Sequence, residues 1–160
     1  MRLEAALAGG FLGTLTLTTI LRAASELRLT RIDLPFLLGT LVTDDRMKAK
    51  AAGYILHFLF GQLFAVGYFL LLLGLGRTGW ILGAALGLGH GLFAGTALVN
   101  ILLPVIHPRM GTRMSGAGET ALLEPPGFLL RNYGPGTPIV SLAAHVAYGA
   151  IVGGSLAVGR

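Results

Sequence analysis

The stretch Gly79-Trp80-Ile81-Leu82-Gly83-Ala84-Ala85-Leu86-Gly87-Leu88-Gly89-His90-Gly91-Leu92-Phe93-Ala94-Gly95 decides the fold class. Glycine stands at every fourth position, and no charged residue interrupts the run. Residues four apart form one ridge of an α-helix, and small ones let a second backbone approach closely. This is how helices associate in lipid, where apolar burial alone gives no preference for a neighbour over a lipid tail. Two further ladders of small residues carry a histidine as one rung: Gly53, His57, Gly61, Ala65 and Ser141, His145, Gly149, Gly153, Ala157. Each four-residue step advances about 400°, or ~40° past a full turn. The ladder 79–95 therefore drifts around its helix and predicts contact with two neighbours and a central position for its span.

Composition agrees. The 160 residues are 54% hydrophobic and only 12% charged, and the mean hydropathy is +0.76. A soluble domain of this size needs more polar surface. No Asp, Glu, Lys or Arg falls in 5–21, 51–76, 78–108 or 132–159. About 20 apolar residues cross the hydrocarbon core of a bilayer. The expected fold is thus an all-α, integral membrane four-helix bundle, one membrane domain over 1–160, with spans at about 5–22, 51–75, 79–104 and 137–159. Arg2 before the first apolar run and Ala23-Ala24-Ser25 after it imitate a signal peptide, but Glu4 sits where a signal would be basic.

The basic residues are lopsided. Arg22, Arg28, Arg31, Arg46, Lys48, Lys50, Arg109, Arg113 and Arg131 lie in the connections 22–50 and 105–136, against Arg2, Arg77 and Arg160 elsewhere. The positive-inside rule then places both long connections in the cytoplasm and both termini outside. The high pI of about 10.2 follows from this bias. It does not point to nucleic acid, because no soluble basic domain or aromatic-interleaved basic face is present.

Each connection holds an acidic residue, proline and an apolar run: Asp33-Leu34-Pro35-Phe36-Leu37-Leu38 and Glu124-Pro125-Pro126-Gly127-Phe128-Leu129-Leu130. Both runs are too short to span, and read as interfacial or re-entrant helices. Asp33 is the expected N-cap of the first, with Pro35 in its first turn. Asp44-Asp45 reads as a cap for the second span. A similar histidine pattern follows each run, His57-Phe58-Leu59-Phe60-Gly61 and His145-Val146-Ala147-Tyr148-Gly149. The chain can therefore be read as a tandem repeat of a two-helix unit. The glycine-rich last pair of spans and the H-x-x-[FY]-G pattern resemble small, uncharacterised bacterial four-helix inner-membrane proteins. That resemblance implies a layout and no activity.

Ionisable residues inside a span are costly and invite a functional reading. Three readings compete for His57, His90 and His145. A neutral histidine can hydrogen-bond to a neighbouring helix, with Thr14, Thr16, Thr18, Thr19, Gln62, Thr96 and Asn100 on offer. His57 and His145, expected at one depth and flanked by small residues, could instead be axial ligands of a haem or a chlorophyll-type pigment. Finally, the histidines with Gln62 and Asn100 could line a path for protons or a small solute. Outside the spans, His107, Met110 and Met114 suit a soft metal such as Cu(I), although Arg109 and Arg113 would repel a cation.

Enzyme chemistry finds little support. The absence of cysteine removes thiolate sites and nucleophiles. The glycines sit at helical spacing rather than in a phosphate loop, and neither G-x-S-x-G nor H-E-x-x-H occurs. The expected function is a non-catalytic component or accessory subunit of a membrane complex. It would contact the lipid bilayer and either other membrane subunits or itself. The alternative is a small oligomeric transporter or channel.

Overall fold

The computed structural model describes residues 2–111 and 123–158, and among these it is helical with no strand. Arg113, Met114 and Arg160 lie outside the described residues. Helix α1 covers Leu3–Glu26, α2 Leu34–Gly39, α3 Arg46–Gly74 and α4 Trp80–Phe93. The chain continues from α4 through a π-helical stretch, Ala94–Leu102, into α5, Leu103–Ile106. A 3-10 turn, Phe128–Tyr133, precedes α6, Thr137–Val158. Four helices are long and apolar enough to cross a membrane: Leu3–Glu26, Arg46–Gly74, Trp80–Ile106 and Thr137–Val158.

Local chemistry explains most boundaries. The Asp33 carboxylate accepts the Phe36 N–H at 3.1 Å and caps α2, with Pro35 in the first turn. Asp45 accepts the N–H groups of Met47 and Lys48 at 3.0 and 3.1 Å, so α3 begins five residues before the apolar run at 51. The π-helical stretch was not expected from sequence. It ends beside Pro104, whose ring nitrogen cannot donate to the Asn100 carbonyl as an α-helix requires. The Asn100 side chain bonds within the same helix, donating to the carbonyls of Gly95 and Thr96 at 3.1 and 2.9 Å. The second connection departs from expectation as well. Residues 124–127, with Pro125 and Pro126, have no regular secondary structure, and only the 3-10 turn follows. Leu129 and Leu130 sit there at φ 53° and 63°.

Helix α1 packs on α3 and α6, α4 packs on α6, and α2 lies against α3. The short α2 runs antiparallel to the charged start of α3: Gly39 lies on the Ala49 backbone and Gly53 on the Pro35 backbone. A β-carbon at Gly83 would overlap the Gly149 carbonyl and stand 2.8 Å from Gly153 Cα. One at Gly87 would overlap the His145 carbonyl and stand 3.0 Å from Val146 Cα, and one at Gly91 would come within 3.0 Å of His145 Cβ. Gly95 faces Leu129, and a β-carbon at Gly79 would meet open space, although the Gly79 N–H donates to the Gly153 carbonyl at 3.2 Å.

The centre of the fold is therefore not the span 79–104. The most buried long helix is α6, with 44% of its apolar window buried against 28% for α4 and its continuation. Gly83, Gly87 and Gly91 all face this one neighbour, because the α6 ladder drifts with them. The other expected contact is made by the 3-10 turn rather than by a second long helix.

Candidate functional site

His90 from α4, His145 from α6 and the rings of Phe64, Tyr68 and Tyr148 meet in the interior. The His90 ring lies over Phe64 at a centroid distance of 3.8 Å and meets His145 edge-on at 4.9 Å. Tyr68 and Tyr148 flank it at 6.1 and 5.9 Å. The Tyr68 hydroxyl is 3.4 Å from His90 Nδ1, and the Tyr148 hydroxyl donates to the Gly61 carbonyl at 2.5 Å. Tyr148 can reach because Gly13 on α1 leaves room for its ring: a β-carbon there would be 2.8 Å away.

His145 Nδ1 donates to the Ser141 carbonyl, one turn back on its own helix, at 2.8 Å. This bond leaves Nε2 with the lone pair. His57, only 9% exposed, sits between Gly53 and Gly61 on the buried face of α3, and its Nε2 has no hydrogen-bond partner among the described residues. The threonines expected to serve the histidines do not. Thr14, Thr18, Thr19 and Thr96 donate to carbonyls four residues back on their own helices. Gln62, with its amide nitrogen turned to the Leu7 carbonyl (3.1 Å) and its oxygen to the Phe11 N–H (2.9 Å), ties α3 to α1. Gly10 makes this approach possible.

His107 is engaged in another way. Its Nδ1 accepts the Arg109 N–H at 3.1 Å, so Nε2 carries the proton and donates to the Leu37 carbonyl at 3.1 Å. The Arg109 guanidinium donates to the Thr40 carbonyl at 2.6 Å. Together they satisfy carbonyls at the end of α2, where a helix has free acceptors and its dipole favours positive charge. Burial holds the His107 pKa below its ordinary value; the Leu37 bond opposes this, and the Arg109 charge reinforces it. A Cu(I) site at His107 and Met110 would have to break these bonds. Met110 is buried in a backbone pairing with Leu123, and Met114 lies outside the described residues. No group of three His, Cys, Asp or Glu among the described residues is arranged to hold a metal.

The two connections form one cap. The Arg31 N–H donates to the Tyr133 carbonyl at 2.7 Å, its guanidinium donates to the Asn132 carbonyl at 2.5 Å, and it pairs with Glu124 at 3.6 Å. The hydroxyls of Thr30 and Thr137 meet at 2.7 Å. The Tyr133 hydroxyl donates to the Glu124 carbonyl at 2.8 Å; burial, with the Glu124 charge, pushes its pKa up to about 12, against the pull of Arg31.

Sequence reasoning thus found the three span histidines and missed what surrounds them. Tyr68 and Phe64 carried no motif, although a tyrosine inside an apolar span is itself a signal of a buried partner. Gly9, Gly10 and Gly13, which admit Ser155, Ala65 and Tyr148, were legible as small residues four apart or adjacent. No protein family, curated protein or solved structure matches the chain.

Proposed function

We propose that the protein is a non-catalytic component of a membrane assembly, an accessory subunit whose four helices form a bundle zipped by glycine ladders. The reading rests on one observation: most interior polar groups of the described residues are engaged by the chain itself, with His57 Nε2 an exception. His90 and His145 abut its own aromatic rings, and Asn100 and the span threonines bond within their own helices. A solute path needs such groups free, so a transporter or channel is the weaker reading. Large apolar side chains face outward, among them Ile55, Leu59, Leu63 and Leu70 on α3. They suit lipid or a neighbouring membrane subunit. The excess of Lys and Arg in the two connections supports a cytoplasmic cap and outside termini, and the resemblance to bacterial four-helix inner-membrane proteins suggests the membrane. A tandem origin rests on the H-x-x-[FY]-G pattern alone, since α2 and the 3-10 turn differ in conformation.

Purification from native membranes in a mild detergent tests the reading. Co-migration with other membrane proteins, or a defined homo-oligomer, supports it. A monomer that gives His57-dependent solute flux in liposomes overturns it.

One observation favours a bound macrocycle as a second reading. His145 donates Nδ1–H to a carbonyl and keeps Nε2 free, as metal-bound histidines do, and His57 Nε2 is also unpartnered. The edge contact of His145 with His90 at 4.9 Å would have to open. A Soret band that shifts on reduction and is lost in His145→Ala supports haem; a colourless protein from its native host rejects it.

A further inference from the structure

The two ends of the bundle differ in charge balance. At the end that carries both long connections, acids and cations pair: Glu26 with Arg22, Glu124 with Arg31, Asp45 with Lys48 and Asp33 with Lys50. Among the described residues this leaves Asp44 alone against Arg28, Arg46, Arg109 and Arg131, none of which is in an ion pair. At the opposite end Arg2 is matched by Glu4, and Arg77 is the one cation over among the described residues.

The spare cations are not equivalent. Arg109 donates to the Thr40 carbonyl, and Arg46 lies over the Phe36 ring at 5.6 Å. Arg28 and Arg131 are exposed, and neither side chain is bonded to a described residue. Their segments run side by side. The Leu29 carbonyl lies against Gly136, and the Arg31 N–H donates to the Tyr133 carbonyl at 2.7 Å. Arg28 and Arg131 thus border one seam, which joins the end of α1 to the start of α6. Both helices are long and apolar enough to cross a membrane, so the seam lies at the level of the lipid head groups. Large apolar side chains stand out beside the cations: Leu27, Leu29 and Phe128, each more than half exposed. Acyl chains cover such groups, and an anionic head group answers the unpaired guanidiniums. A zwitterionic head group brings its own cation and gains less.

We propose that this seam binds anionic phospholipid of the phosphatidylglycerol type. Arg28 and Arg131 hold the phosphodiester groups, and the acyl chains lie against Leu27, Leu29 and Phe128. The site adds a lipid class to the membrane reading. It does not depend on the accessory-subunit reading, because a chain without protein partners keeps the same seam.

The test uses the full chain in maltoside micelles, titrated with dioleoyl phosphatidylglycerol or dioleoyl phosphatidylcholine and read by native mass spectrometry. Saturable binding of the first, about tenfold tighter than of the second, is expected from two unpaired cations. Arg28→Gln and Arg131→Gln each weaken it about fivefold, and the double variant weakens it more than about tenfold. Arg77→Gln removes the same charge at the opposite end and leaves the binding unchanged. Circular dichroism and elution volume report whether each variant is folded. Equal binding of the two lipids, undiminished binding by the folded double variant, or an equal loss in Arg77→Gln overturns the site. Binding of glycerol phosphate as tightly as the lipid, or displacement of the lipid by polyglutamate, overturns the lipid assignment.

Discussion

Where α4 crosses α6, Gly83 and Gly87 lie backbone to backbone on Gly149 and its neighbours, and no side chain intervenes. Where the two connections meet, hydrogen bonds and ion pairs are added to buried side chains such as Ile32 and Leu130: Arg31 with Asn132 and Glu124, Thr30 with Thr137, Arg109 and His107 with the end of α2. The interior is held by shape. An added methyl group there has no space, and ionic conditions matter little. The cap is held by many small polar contributions, each of which water can replace at modest cost. Steric fit should therefore dominate stability in the interior, and protonation and backbone strain in the cap.

The sharpest way to break this contrast is Gly87→Leu. The new side chain meets the His145 carbonyl and Val146 Cα, both backbone. The expected loss is on the order of 4 kcal/mol or more, seen as failure to fold or a collapsed melting temperature in detergent. Gly89→Leu, two residues away with open space at its Cβ, should instead gain about 0.5–1 kcal/mol from helix propensity. Equal effects of the two substitutions would refute shape as the interior's organising principle.

Tyr148→Phe probes the polar contact that reaches the interior. It removes the hydrogen bond to the Gly61 carbonyl while keeping the ring between Tyr68 and His90. A loss of about 1 kcal/mol is expected in a denaturant titration.

The cap should respond to pH through His107. Its folded pKa lies below the ordinary 6.5, so the folded protein binds the proton less readily than the unfolded chain. The stabilising term is complete above pH 6.5, and falls as pH drops through that value toward the folded pKa. Protonation also ends acceptance at Nδ1 and places a charge beside Arg109. The protection factors of the Arg109 and Met110 amides, each rate taken against the intrinsic rate at the same pH, should fall at about pH 5 relative to about pH 8, and His107→Gln should remove the difference. The smallest effect is expected at Arg28, a non-glycine residue at φ 60° where α1 ends. Arg28→Gly should relieve this strain and raise stability by about 0.5–1 kcal/mol in thermal unfolding.

The caps at Asp33 and Asp45 were legible because an N-cap is a local event, decided by a carboxylate and the next three N–H groups. The span histidines were legible because an ionisable residue stands out in an apolar run. Their partners were not, since no local signal couples Phe64 on α3 to His90 on α4. The expected help from Thr14 and Thr18 failed for a local reason: in a helix the carbonyl four residues back is always within reach of a threonine hydroxyl.

Sequence alone determined that this chain makes four long apolar helices, where they begin to within a few residues, and which ridge of three of them carries small residues. Hydropathy, capping and four-residue spacing are properties of one segment at a time. Only the tertiary structure decided that α6 is the central helix, that three glycines of α4 share one partner, that His107 closes α2, and that His57 is buried without a partner for Nε2 among the described residues. These facts depend on how helices distant in sequence cross, and a one-dimensional pattern does not specify a crossing.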